Sequence, residues 1–211
     1  VPMQKLLLNF LSVWGSRQVV RHAMRPVQDR DLPAAAEFRQ RSGRGRQRFP
    51  GGHLPDVEHI ARREGADATS DLVTKLAFGG YNKAFAPNRT DFDWLSADEG
   101  NVDRYIADPL CGADATVGLF RDMLGGIRFN QKRGNLARMD TSMPVLFIAG
   151  QDDPVGNLGK GVRRSYDAFR AAGMQDVSIQ LYPGLRHEIL NEKAMRETVY
   201  NDILNWLSRY I

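Results

Sequence analysis

An unbroken apolar run, Pro144-Val-Leu-Phe-Ile-Ala149, places the tightest constraint on the fold of this chain. A run of this length that is closed by Gly150 is typical of a strand buried on both faces, as in a parallel sheet. A second segment, Val177 to Tyr182, alternates apolar and polar residues before Pro183-Gly184 and predicts a second strand. Because parallel neighbours need a crossover connection, the stretch from about Leu158 to Ala172 is predicted to be a helix.

A helix predicted from about Glu192 to Tyr210 completes this C-terminal unit, because Val199 and Ile203 recur on one helical face. We therefore expect an α/β fold with a parallel sheet over residues 141–211. The preceding region, residues 57–140, is different, since its apolar spacing predicts helices and ordered loops.

The helices of this preceding region have recognisable limits. Helical spacing extends from Val57 to about Leu76, with a start signal at Ser70-Asp71. A helical turn is expected over residues 101–106. A longer helix is expected from Ala115 to Ile127, where Gly125-Gly126 is predicted to end it.

Residues 1–56 differ in composition from the rest of the chain. Arginine supplies all the positive charge between Lys5 and Lys75, and RQRSGRGRQR, residues 39–48, has no apolar period and predicts a loop or disorder. The run from Leu6 to Leu11 is too short to span a bilayer. The formal net charge of +4 is compatible with an anionic partner, but no stacking or recognition motif accompanies the arginines, so nucleic acid is not expected.

Cysteine and histidine usage exclude two kinds of site. Cys111 is the only cysteine, so an internal disulfide is excluded and a reducing cytosol is predicted. The four histidines are not spaced as metal ligands, and Cys111 has no cysteine neighbour. We therefore expect a cytoplasmic protein without a metal, another cofactor or a transmembrane segment.

Polar residues follow both predicted strands. Asp152 and Asp153 come after the first strand, and His187 comes after the second. Functional residues of parallel sheets gather at the carboxyl ends of strands. An Asp followed by a His in this order matches the second half of a Ser–Asp–His triad. The alternative is an Asp and a His with structural roles only.

Several longer motifs carry a family resemblance. MPVLFIAGQDDPVGNLGKGV and LYPGLRHEILNE resemble the acid and histidine motifs of the serine aminopeptidase-like α/β-hydrolases, which include lysophospholipases and monoacylglycerol lipases. LAFGGYNKAFAPNRTDFDWLS and YIADPLCG resemble the cap region of bacterial members. The resemblance extends from about Val57 to the C-terminus.

The resemblance implies a partial α/β-hydrolase fold, with a helical cap over residues 57–140 followed by the last two parallel strands and their helices in residues 141–211. It implies Asp153 as catalytic acid, His187 as catalytic base and a small lipid-like ester as substrate. It gives Asp152 no triad role, and a solvated loop position is expected there. For Arg186 and Glu188, which flank the histidine, two roles are open: they orient its loop, or they face solvent.

Two roles are also open for a set of aromatic residues, which line an acyl pocket beneath the cap or form the cap's own core (Tyr81, Phe85, Phe92, Trp94).

No serine of the sequence lies in a Gly-x-Ser-x-Gly pattern, which a nucleophile needs in the tight turn between strand and helix. In the family that the chain resembles, the serine precedes the cap. We therefore expect the serine upstream and expect this polypeptide alone to be inactive. The alternative is a non-catalytic remnant that binds a complementing partner along its exposed sheet edge. The change of composition before Val57 is the basis for a further hypothesis, that residues 1–56 arise from a frameshift or a mis-called start.

Overall fold

The computed structural model describes residues 57–210 of the chain, so the predictions for residues 1–56 lie outside the described residues. Two 3-10 turns, Tyr81–Phe85 and Asp93–Leu95, lie in the loop formed by residues 79–98. The helices and strands in chain order are α1 (Val57–Glu64), α2 (Asp71–Phe78), α3 (Glu99–Ala107), α4 (Val117–Asn130), α5 (Arg133–Leu136), β1 (Val145–Gly150), α6 (Lys160–Ala171), β2 (Val177–Tyr182) and α7 (Arg196–Leu207).

The two predicted strands form a parallel sheet. β1 and β2 pair in register along their whole length, and Gly150 lies opposite Tyr182 at the carboxyl end. α6 makes the crossover between them and buries Val162 in one cluster with Phe147 and Val177. Both strands therefore end at the same edge of the sheet, which brings the segments that follow them into contact.

β1 is buried more completely on one face than on the other. Phe147 and Ala149 are buried under α6, whereas Leu146 and Ile148 are half-buried. Their face is covered by α7, whose Val199 belongs to the cluster against which Ile148 packs. The prediction of burial on both faces is therefore wrong for this second face, because the described part of the chain covers it only in part.

The helices before the sheet pack around their own core. The predicted helical stretch over residues 57–76 is two helices, because Gly65 takes a left-handed conformation with φ of 96° at the end of α1. α2 then begins at Asp71 after Ser70, as predicted. The buried side chains shared by α1, α2 and α4 are Val57, Ile60, Ala61, Val73, Val117 and Phe120.

Two helix limits differ from the sequence prediction. α4 does not stop at Gly125-Gly126 but continues to Asn130, and the amide of Gln131 donates to the carbonyl of Ile127. Neither glycine has a positive φ, so the helical hydrogen bonds continue through them at a modest cost in propensity. α7 begins at Arg196 rather than near Glu192, since the preceding residues form an irregular segment against the sheet end.

Within residues 57–210, no helix has the combination of length and apolar character that crossing a membrane requires.

Gly118→Ala is expected to destabilise the chain by about 1–3 kcal/mol. A Cβ at this position would lie 2.7 Å from the carbonyl oxygen of Ala66, to which the Gly118 amide also donates at 2.8 Å. Gly126→Ala in the same helix is the matched control: no atom lies within 4 Å of its Cβ position, so helix propensity predicts a neutral effect or a gain of up to about 1 kcal/mol. Urea unfolding measured by circular dichroism compares the two, and equal effects would contradict this account of the α4 contact.

Candidate active site

The loops that follow β1 and β2 are held together by their backbones. Beyond the last strand pair, the amide of Gln151 donates to the carbonyl of Tyr182 at 2.8 Å, and that of Asp152 donates to the carbonyl of Leu185 at 3.0 Å. A Cβ at Gly150 would lie only 2.1 Å from the carbonyl oxygen of Arg186 and 2.3 Å from that of Leu185. Only glycine lets the histidine loop approach this closely.

This approach brings the two predicted site residues together. Nδ1 of His187 lies 3.1 Å from Oδ2 of Asp153, and the two side chains are only 3% and 2% exposed. The other carboxylate oxygen of Asp153, Oδ1, accepts a hydrogen bond from the amide of Val155 at 2.9 Å. Both oxygens of the carboxylate are therefore engaged, which fixes its plane relative to the imidazole.

The arrangement has a chemical consequence for the histidine. When Nδ1 carries the proton and donates it to Asp153, the neutral imidazole leaves Nε2 as its proton acceptor. The carboxylate also stabilises the imidazolium that forms when Nε2 takes a second proton. The pair is therefore suited to general base chemistry.

The segment after Asp153 is locked into a left-handed turn. Asn157 and Leu158 both have φ of 52°, and Gly159 has φ of 77°. The Leu158 amide donates to the backbone carbonyl of Asp153 at 2.9 Å, which closes the turn on the acid. A left-handed leucine costs about 1–2 kcal/mol, so the surrounding contacts must hold it in place.

An aromatic cluster lies against the histidine. The ring centroids of Trp94 and His187 are 5.4 Å apart. Trp94 in turn stacks on Phe78 at 6.2 Å and contacts Tyr81 at 5.1 Å. Burial, followed by the charge of Asp153, raises the pKa of Tyr81 to about 12. The Tyr81 phenol therefore stays neutral at physiological pH.

The other two predicted aromatics have different neighbours. Phe92 packs against Tyr105 with centroids 5.1 Å apart, and Phe85 lies under the guanidinium of Arg186 at 3.9 Å. The choice between an acyl pocket and a cap core therefore stays open, although Trp94 and Tyr81 belong to a packed cluster beside His187.

The residues that flank His187 hold its loop in place. Nη1 of Arg186 donates to the carbonyls of Asp93 and Ser96. The carboxylate of Glu188 is buried and accepts from the side-chain Nδ2 of Asn101 at 2.6 Å. Of the two alternatives for Arg186 and Glu188, orientation of the loop is the one that these contacts support. Asp152, expected in solvent, is half-buried.

The carboxylate of Asp93 holds the turn that Arg186 contacts. Burial opposes ionisation of Asp93, but hydrogen bonds from the Thr90 hydroxyl and from the Arg89 and Thr90 amides hold the pKa of Asp93 below its ordinary value. Asp93 therefore stays ionised at neutral pH, and it closes a turn that presents its carbonyl to Arg186.

Sequence reasoning does not single out Glu192, a buried carboxylate at the same site. It is 1% exposed and accepts from the amides of Arg186 at 2.7 Å and Ala97 at 3.0 Å. Burial raises the pKa of Glu192, although these two hydrogen bonds oppose the shift. Its only sequence signal is a position shortly after His187 in LRHEILNE, since Ala97 is distant in the chain.

No group of three or more His, Cys, Asp or Glu side chains suited to a metal ion occurs among residues 57–210.

The chain is similar to known proteins over much of its length. The family model described as serine aminopeptidase, S33, matches residues 55–194. A monoacylglycerol lipase of Mycolicibacterium smegmatis is 26% identical over 168 residues, which cover 78% of this chain and 56% of that protein. The chain thus spans little more than half the length of this relative.

Solved structures show the same fold over a similar extent. A thermostable carboxyl esterase from Bacillus coagulans, solved in complex with glycerol, matches with a TM-score of 0.67 at 24% identity, covering 74% of this chain and 50% of that one. A lipase in its open form matches with a TM-score of 0.64 at 24% identity, covering 73% and 51%. The described residues therefore have part of an α/β-hydrolase fold, as predicted.

Gly150→Ala is expected to separate the two loops and to destabilise the chain by about 3 kcal/mol, at the upper end for an overpacked site. The added carbon would overlap two backbone carbonyl oxygens, which cannot move aside as a side chain does. Gly80→Ala is the control, since its Cβ would meet nothing within 4 Å. Urea unfolding reports stability, and the proton NMR signal of the His187 Nδ1–H reports the contact with Asp153. An unchanged signal in Gly150→Ala would contradict the role of this close approach.

Proposed function

The chain belongs to the serine aminopeptidase, S33, family of α/β-hydrolases, and from this premise we propose that Asp153 and His187 are the acid and the base of a serine-dependent carboxylic ester hydrolase. The observation that carries the proposal is the buried contact between Nδ1 of His187 and Oδ2 of Asp153 at 3.1 Å. Its position after β1 and β2 is where a parallel sheet gathers catalytic side chains.

The residues would act in two steps. Nε2 of His187 takes the proton of a serine hydroxyl as that oxygen attacks the ester carbonyl, and it returns this proton to the leaving alcohol. In the second step the same nitrogen takes a proton from the water that attacks the acyl-enzyme, and it passes this proton to the serine oxygen as the carboxylic acid product leaves. Asp153 holds the tautomer and balances the imidazolium charge in both steps.

The 211 residues contain no Gly-x-Ser-x-Gly pattern. The proposed nucleophile is therefore a serine outside this sequence. A segment that supplies it would complete the triad, and without it the acid and the base have no group to activate. The proposed arrangement is therefore a hydrolase whose nucleophile lies on a separate stretch of polypeptide. The division into residues 57–140 and 141–211, like the cytoplasmic location, stays a prediction.

A small lipid-like ester is the proposed substrate. Its support is the name of the Mycolicibacterium smegmatis relative, a monoacylglycerol lipase, together with the aromatic cluster of Phe78, Tyr81 and Trp94 beside His187. Apolar side chains next to the base would favour an acyl chain over a polar group.

A second candidate function is a non-catalytic module that binds a complementing partner. It is favoured by one observation: within residues 57–210 the sheet has two strands, so each strand keeps an edge that no described strand pairs with. Such edges offer unpaired backbone groups to another strand.

The chain on its own is expected to show no burst of product with p-nitrophenyl butyrate and no labelling by a fluorophosphonate, because no serine is placed for attack. Stopped-flow absorbance and gel fluorescence measure the two. Labelling of a serine in this chain, abolished by His187→Ala, would contradict the proposal that the nucleophile lies elsewhere.

Restoration of the upstream coding sequence is expected to supply a Gly-x-Ser-x-Gly segment and ester hydrolysis. In that protein Asp153→Asn should lower kcat by about 10⁴-fold, because an uncharged amide no longer fixes the productive tautomer. Asp152→Asn is the matched neighbour and should stay within about twofold, as for a substitution outside the site. Steady-state kinetics separate them. Equal losses for both, or no such segment in any upstream frame, would favour the non-catalytic module.

A further inference from the structure

The backbone amides of the residues before and after His187 are both linked to residues 93–97 of the helical region, one of them directly and the other through Glu192. The amide of Glu188 donates to the carbonyl of Leu95 at 2.8 Å. On the other side, the amide of Arg186 donates to Oε1 of Glu192 at 2.7 Å, and Oε2 of Glu192 accepts from the amide of Ala97 at 3.0 Å. One carboxylate thus bridges the histidine loop and residues 93–97.

The same segment also contacts the imidazole itself. Trp94 directly precedes Leu95, whose carbonyl accepts from the Glu188 amide, and its ring is 5.4 Å from that of His187. The guanidinium of Arg186 adds bonds to the carbonyls of Asp93 and Ser96. The backbone around His187 and its imidazole ring are therefore both held against one short segment, residues 93–97.

Fold stability alone does not account well for a carboxylate at position 192. The side chain is 1% exposed, and burial raises its pKa. A raised pKa means that the folded chain binds a proton at this group more readily than the unfolded chain does, so its charge costs stability at neutral pH. What the carboxylate provides is geometric: two acceptor oxygens that hold two amides from distant parts of the chain.

We propose that Glu192 is a positioning residue that fixes His187 relative to residues 93–97, so that Trp94 and the imidazole move as one unit. The proposal rests on the role of His187 as base. Asp153 stands on the other loop, which the bond from the Asp152 amide to the Leu185 carbonyl ties to the start of the histidine loop rather than to residues 93–97. A shift of residues 93–97 is therefore transmitted to the distance between Nδ1 and Oδ2, which couples the position of the helical region to the alignment of the base.

The test is Glu192→Gln in the full 211-residue chain, with Glu197→Gln as control. Glutamine keeps the shape of the side chain but replaces one acceptor oxygen by an NH₂ group, which cannot accept from an amide. Glu197 undergoes the same chemical change at an exposed position of α7, where its side chain is 75% exposed.

The observables are the NMR signal of the His187 Nδ1–H and the nuclear Overhauser contact between the His187 and Trp94 rings. Glu192→Gln should speed exchange of the Nδ1 proton with water about tenfold, the factor that corresponds to one lost hydrogen bond. It should also weaken the ring contact, whereas Glu197→Gln should change neither. A wild-type spectrum in Glu192→Gln overturns the proposal.

Hydrogen exchange in the unsubstituted chain tests the same coupling if Glu192→Gln does not fold. The amides of Arg186 and Ala97 should exchange with the same opening free energy as the His187 Nδ1 proton, because the Glu192 carboxylate binds both amides and thereby positions the histidine. Different opening free energies overturn the proposal.

Asp153→Asn distinguishes this inference from the proposed function. A His187 Nδ1–H signal that is absent from the unsubstituted chain, or unaffected by Asp153→Asn, contradicts the acid–base pair itself. A signal that depends on Asp153 but not on Glu192 contradicts only the positioning role.

Discussion

The close contact of Gly150 with the carbonyl oxygens of Leu185 and Arg186 is the constraint on which the rest of the site depends. β1 and β2 are of equal length and end side by side. The loops that follow them meet only because Gly150, at the point of contact, has no side chain. The backbone bonds from Gln151 and Asp152 then hold the loops in one register. Main-chain geometry thus brings the loops of the acid and the base together, and side chains such as Glu192 then refine the alignment.

The surroundings of the pair decide how strong their interaction is. His187 and Asp153 are almost fully buried, and Trp94 covers the imidazole on one side. Where water is excluded, a hydrogen bond to a carboxylate is electrostatically stronger and an unpaired charge is more costly. Tyr81, whose phenol stays neutral, contributes apolar surface near the charge of Asp153 without adding a second acid in this pH range.

Much of this site follows from sequence because it depends on local patterns. The strands are marked by apolar runs and turn residues, and parallel pairing places the segments with Asp153 and His187 at the same end of the sheet. The role of Glu192 could not be derived in this way, because its partner Ala97 is remote in sequence and its burial is a tertiary property. The continuation of α4 through Gly125-Gly126 was missed for a related reason: packing and capping outweighed a weak local preference.

Because β1 and β2 end at the same level, the loops that follow them differ from other loops in the insertions and deletions that they can accept. One residue inserted between Gly150 and Asp153 would move the carboxylate away from His187, because the amides of Gln151 and Asp152 bind the carbonyls of Tyr182 and Leu185 in one register. The same holds between Tyr182 and His187. The C-terminal end of α6 and its turn at Gly173 are under no such constraint, because they lie at the opposite edge of the sheet. Natural insertions and deletions should therefore accumulate there, while the two short loops at the site keep their lengths.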